Sequence, residues 1–194
     1  MQRRHSRIVL ALAAAALLPG CATLGYYAQA LGGQMSLLAS ARPVDEWLGD
    51  SATPAPLRAK LETALAIRDY ASRELGLPDN ASYRRYAELG RPFAVWNVVA
   101  APEFSTRALQ SCFPVAGCVS YRGYYSEEAA QQYAAAFSEK GYDVYIGGVP
   151  AYSTLGWFDD PVLSTFIQYP EPEVARIVFH ELAHQTIYIK DDTM

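Results

Sequence analysis

The chain has 194 residues, with 16 Lys and Arg against 20 Asp and Glu and a formal charge of −4 at neutral pH. Three arginines and no acid fall in the first 20 residues, so residues 21–194 carry 13 basic and 20 acidic groups, a formal charge of −7. Phosphate binding needs a basic surface, so this balance excludes nucleic acid as a partner, while about 174 residues suffice for one domain with its own core.

Arg3, Arg4 and Arg7 open the chain, and the apolar run Ile8–Leu18 leads into Pro19-Gly20-Cys21. A basic start, a short apolar stretch and a small residue at the cut describe a secretory signal over residues 1–20. The run is too short to cross a bilayer as a stable helix. Leu18-Pro19-Gly20-Cys21 resembles the bacterial lipobox, whose cysteine becomes the acylated N-terminus. An ordinary cleaved signal that leaves Cys21 as a free thiol is the alternative. Ala22 after the cysteine resembles the sorting pattern of outer-membrane lipoproteins, so the expected location is the cell envelope, lipid-anchored and facing the periplasm.

Residues 21–50 read as a lipidated tether and the start of a first helix, with Leu24, Tyr27, Leu31, Met35 and Leu38 on a recurring stripe. Pro54-Ala55-Pro56 opens a stronger helix through Leu57, Leu61, Ala64-Leu65, Arg68 and Leu75, stopped by Gly76 and Pro78. Phe93–Ala100 has the apolar, β-branched character of a strand. Cys112 and Cys118 flank a short segment containing Pro114 and Gly117. In an oxidising compartment they are expected to form a disulfide, which in so small a ring stabilises by about 2 kcal/mol and shapes the chain locally. A zinc-binding pair is the alternative, although no further Cys or His lies nearby in sequence.

A second strand is expected over Val119–Tyr125, then a helix capped by Ser126, with Glu127 and Glu128 in its first turn and Gly141 at its end. Asp143–Gly148 reads as a third strand. The chain holds 14 tyrosines, whose amphipathic rings suit packing and strand surfaces. Tyr152, in Ala151-Tyr152-Ser153-Thr154-Leu155-Gly156-Trp157-Phe158, is a candidate to contact a peptide substrate lying along an edge strand. Equally, that segment reads as a structural loop packed by Trp157 and Phe158.

The most informative segment is His180-Glu181-Leu182-Ala183-His184, an H-E-x-x-H pattern on a stretch that reads as helix. Residues four apart share one helix face, so two imidazoles can converge on one metal. Zinc takes histidine nitrogen at about 2.0–2.1 Å, and a catalytic site keeps one position for water. Zinc lowers the pKa of that water toward about 7, which makes Glu181 a competent general base at neutral pH. A structural histidine pair is the alternative. A two-histidine catalytic site also wants a third protein ligand, commonly a carboxylate further along. Asp191 and Asp192 reach poorly, so the expected third ligand lies beyond Met194 and the chain reads as truncated at its C-terminus.

Taken together, the lipoprotein start, Cys112–Cys118 with Tyr121-Arg122-Gly123-Tyr124, Ala151–Phe158 and the His180–His184 helix resemble the predicted aminopeptidase family of bacterial lipoproteins. The resemblance implies a gluzincin-type zinc metallopeptidase with His180 and His184 as ligands and Glu181 as base. It also implies a following helix with an Asn-Glu-Ser-Phe-Ala-like segment whose Glu is the third ligand, a segment missing from these 194 residues. The expected fold is α+β, a zincin-like domain with a small sheet and the H-E-x-x-H helix, its N-terminal part spanning residues 51–194. The expected function is zinc-dependent peptide hydrolysis at the cell envelope, with Zn2+ as cofactor, a peptide as substrate and the membrane reached through the lipid. The alternative is a non-catalytic envelope lipoprotein that binds zinc or peptide.

Overall fold

The structure is a computed structural model that describes residues 24–113 and 117–187. The signal over residues 1–20, the acylation candidate Cys21, the turn residues Pro114–Ala116, and Asp191 and Asp192 lie outside the described residues. No helix among the described residues is long and apolar enough to cross a membrane.

Among the described residues, six helices and eight strands follow one another. Helix α1 spans residues 24–40. It is followed by β1 (Arg42–Pro43), α2 (Val44–Gly49), α3 (Ala55–Arg73), β2 (Arg85–Ala87) and β3 (Val95–Pro102). Next come β4 (Ser111–Phe113), β5 (Gly117–Val119), β6 (Arg122–Tyr124), α4 (Glu127–Ser138) and β7 (Tyr142–Val149). The described chain closes with β8 (Val162–Leu163), α5 (Ser164–Ile167) and α6 (Glu171–Ala183).

Six of these strands form two three-stranded sheets, and β4 pairs with β5 alone. In the first, β2 lies between β1, antiparallel to it, and β8, parallel to it. This sheet packs with α2, α3, α5 and α6 around a core that includes Leu61, Ala64, Tyr86, Phe166, Val178 and Leu182. In the second, β3 lies between β6 and β7 and pairs antiparallel with both. Helix α4 covers it, and Trp96, Val98, Tyr124, Ala130 and Ala134 form a smaller core between them.

Local chemistry explains most of the boundaries. Pro56 sits in the first turn of α3, where its missing N–H costs no helical bond. Gly76, at φ 65°, takes the left-handed position that ends this helix, and the Leu77 N–H bonds back to the Ala71 carbonyl. The Ser126 Oγ accepts the Ala129 N–H and caps α4, and Gly141, at φ 81°, follows its end.

Two expectations need adjusting. The single strand expected over Val119–Tyr125 is two, β5 pairing with β4 and β6 pairing with β3; in the β4–β5 hairpin Cys112 stands opposite Cys118 and the expected disulfide joins them. The stripe on α1 divides. Leu38 packs against the main core, whereas Leu24, Tyr27, Leu31 and Met35 face outward. The buried face of α1 is set instead by Gly33, Gln34 and Leu37.

Candidate active site

Helix α6 delivers the motif. Val174, Ile177, Val178 and Leu182 recur at helical spacing and are buried, which fixes the rotation of the helix against the core. Glu171 and Glu173 occupy its first turn, where they meet the positive end of the helix dipole. His184 is the C-terminal cap residue, with its N–H still bonded to the His180 carbonyl.

His180 and His184 project side by side, with their Nε2 atoms 3.0 Å apart and their rings nearly perpendicular. Burial, then the neighbouring His184 and Arg176, lowers the pKa of His180, so its neutral form is favoured at neutral pH. Glu181, one residue after His180, lies to one side of the histidine pair on the helix and is only partly exposed. Its carboxyl is pushed up to about 7, mainly by burial and then by the charge of Asp160.

Asp160 and Tyr83, which the sequence did not single out, lie behind Glu181. The Asp160 carboxylate is buried and accepts the Thr154 N–H at 2.8 Å and the Thr154 hydroxyl at 2.8 and 2.9 Å. Burial raises it to about 6 against the lowering effect of those bonds. Its backbone carbonyl accepts the Tyr83 N–H at 2.6 Å. Tyr83 is held at φ 63°, a conformation that costs a bulky residue about 1–3 kcal/mol. The Tyr83 hydroxyl is buried without a hydrogen-bond partner. Burial, then the charges of Asp160 and Glu181, holds its pKa well above the usual phenol value, so it is a neutral donor beside two carboxyl groups.

Two further residues lock this arrangement. The Gln185 side chain, directly after the motif, accepts from Asn80 Nδ2 at 2.6 Å and donates to Ser82 Oγ at 3.2 Å. It also lies against Gly156, which sits at φ 81° in the loop between β7 and β8. Arg68 of α3, fully buried, holds the Asn80–Ser82 segment from the other side through the carbonyls of Pro78, Asn80 and Ser82 at 2.7–3.0 Å. The one legible signal for this clamp was Arg68, an arginine standing in an otherwise apolar helical stripe. The roles of Asn80, Ser82, Tyr83 and Asp160 depend on contacts between distant segments, which no local pattern marks.

Tyr152 is placed in the interior. It packs against the main core, and its hydroxyl is engaged with Tyr125 at 2.8 Å and with the Gln34 side chain. Trp157 and Phe158 are exposed rather than packing that loop. The disulfide hairpin stacks Phe113 on Tyr26 of α1. Among the described residues, no group of three or more His, Cys, Asp and Glu is placed to hold a metal ion. The described chain therefore offers two imidazoles as donors.

Two imidazoles one helical turn apart, with a carboxylate beside them, are the side-chain arrangement of an H-E-x-x-H site. The chain belongs to the protein family described as "Putative aminopeptidase", which it matches over residues 25–194. That name points to peptide hydrolysis. Neither a curated protein nor a solved structure matches the chain.

Proposed function

We propose that the protein is a zinc-dependent peptidase of the bacterial cell envelope, built on a zincin-like α+β domain. In this reading it is anchored through an acylated Cys21 and faces the periplasm from the outer membrane. One observation carries the zinc assignment, the 3.0 Å approach of the His180 and His184 Nε2 atoms. Two nitrogens on one tetrahedral zinc, each at about 2.0–2.1 Å, stand about 3.3 Å apart, so a small opening of the pair admits the ion. The lowered pKa of His180 favours the neutral form that binds metal. The third ligand is then a carboxylate from beyond Met194, as the family resemblance implies.

Zinc held there supplies Lewis acidity toward a peptide carbonyl. Glu181 takes the proton from the attacking water at its carboxylate and passes it to the leaving amine. A carboxyl raised to about 7 can hold and release a proton at neutral pH, which is what both halves of that transfer require. Asp160 supports the same carboxyl by disfavouring its ionised form, and the Arg68–Gln185 clamp keeps the helix end in place.

The test uses the protein extended beyond Met194 through the expected Glu-bearing helix. Glu181→Gln should keep its zinc and lose peptide hydrolysis by about 10²- to 10⁴-fold, the usual cost of removing a general base. His180→Ala and His184→Ala should lose zinc and hydrolysis together. Elemental analysis and cleavage of a mixed peptide library read both quantities. Undiminished hydrolysis in Glu181→Gln, or an extended protein without zinc, overturns the peptidase reading. Bound zinc without cleavage in the unaltered extended protein favours the binding lipoprotein instead.

A further inference from the structure

Helix α1 carries an apolar seam that nothing in the described chain covers. Leu24, Leu31 and Met35 are 70%, 61% and 50% exposed and Ala28 is also exposed on the same face, while Tyr27 at its edge is 39% exposed, its ring edge-on to Phe113. Positions 24, 28, 31 and 35 follow the helical repeat, so these side chains form one row about 16 Å long. Residues 24–40 contain no charged side chain at all. An exposed helix face without a single charge is not a solvated face.

The rotation that exposes this row is fixed by the opposite face. A Cβ on Gly33 would fall 2.2 Å from the Tyr125 ring, so glycine lets that ring lie directly on the helix backbone. Gln34 accepts the Tyr125 hydroxyl at 2.7 Å, and Gln29 bonds the Gly123 carbonyl and the Tyr125 N–H. The Arg122 guanidinium lies 3.9 Å from the centre of the Tyr26 ring. Turning the seam inward would break all of these contacts.

We infer that the exposed face of α1 lies on the lipid bilayer, with Leu24, Leu31 and Met35 in the acyl boundary and Tyr27 at headgroup level. The inference rests on the proposed acylation of Cys21. Only Ala22 and Thr23 lie between that cysteine and Leu24, a reach of at most about 10 Å, so an acylated chain brings the start of the seam to the bilayer surface. Interfacial helices sink their apolar face about 5–10 Å into the headgroup and acyl boundary, a depth these side chains match. Because α1 offers no Lys or Arg to anionic lipid, the acyl chains hold the protein and the seam sets its tilt.

The full chain, purified with its own acyl groups and placed in phosphatidylethanolamine and phosphatidylglycerol vesicles, tests this. An environment-sensitive dye is attached at Met35→Cys, at Ala28→Cys as a milder second position, and at exposed Glu62→Cys on α3 as the reference. Spin-labelled lipid should quench positions 35 and 28 at least about twofold more than position 62, with blue-shifted emission, as burial to that depth requires. Equal quenching at all three positions overturns the inference. So does a blue shift without lipid quenching, which would mean that a second copy or another protein segment covers the face. Intact mass read in parallel separates the two ideas. Acyl groups present with position 35 unquenched sinks the bilayer contact alone, whereas acyl groups absent with position 35 quenched sinks only the anchor.

Discussion

The core beneath α6 and the core beneath the β6–β3–β7 sheet differ in what they bury. The second is made of Trp96, Val98, Tyr124 and two alanines of α4, with the Arg122 Nε as the one polar atom buried without a hydrogen-bond partner beside it among the described residues. The first also encloses Arg68, Ser82, Asp160 and Thr165, the unpartnered hydroxyl of Tyr83 and the raised carboxyls of Asp160 and Glu181. Buried polar groups without full partners cost stability, and strained or perturbed groups gather where a protein does chemistry. The contrast thus separates a half that bears the candidate site from a half that supports it.

The sharpest way to break that division is Arg68→Leu. The change removes the donor that three carbonyls of residues 78–82 share, and a buried network that loses its charged member falls by about 3–5 kcal/mol. Urea unfolding measures it. A loss under about 1 kcal/mol would show that the first core needs no polar clamp.

The next test is pH. Asp160 stands at about 6 in the folded protein against 3.8 in its ordinary state. A raised carboxyl means that the unfolded chain releases its proton first. The contribution is therefore complete below about pH 4 and is lost as pH rises through about 6, by about 3 kcal/mol at most. Asp160→Asn should flatten that part of the stability curve, as read by unfolding at pH 4, 5, 6 and 7. An unchanged slope would place the titration elsewhere.

Elements with strong local signals were legible. The periodic apolar residues of α3 and α6, the serine cap of α4 and the β-branched run of β3 lie within a few residues of their expected places. The short strands β1, β2 and β8 gave no such signal, because two or three residues carry no period and their pairing depends on partners 42–76 positions away. Helix α1 was legible as a recurring apolar stripe, but that stripe does not mark one buried face. Apolar periodicity marks a face that avoids water without saying what covers it, and at α1 glycine and glutamine take the inner positions. The motif residues of the candidate site stood out by spacing, whereas Asp160, Tyr83 and the Gln185 clamp emerge only when the loops at 78–83 and 151–160 meet α6.

In the supporting half, the Cys112–Cys118 disulfide closes a ring of seven residues, for which chain entropy allows about 2 kcal/mol. Replacing both cysteines with serine should lower unfolding stability by about that amount and leave the titration of Asp160 unchanged. If the pH profile moved as well, the two halves would be coupled more tightly than their separate cores suggest.

The smallest expected effect tests the same separation. The Ser126 Oγ caps α4 through the Ala129 N–H at 3.3 Å, a long bond at an exposed helix start. Ser126→Ala should therefore cost about 1 kcal/mol, within the usual range for a lost cap. The residue adjoins Tyr125, whose hydroxyl reaches Gln34 and Tyr152 and so touches both halves. Amide exchange then decides the matter. Faster exchange confined to α4 and β3 means that the cap acts on its own layer. Faster exchange along α6 would mean that Tyr125 carries the disturbance across, and that the half bearing the site depends on the packing of the other.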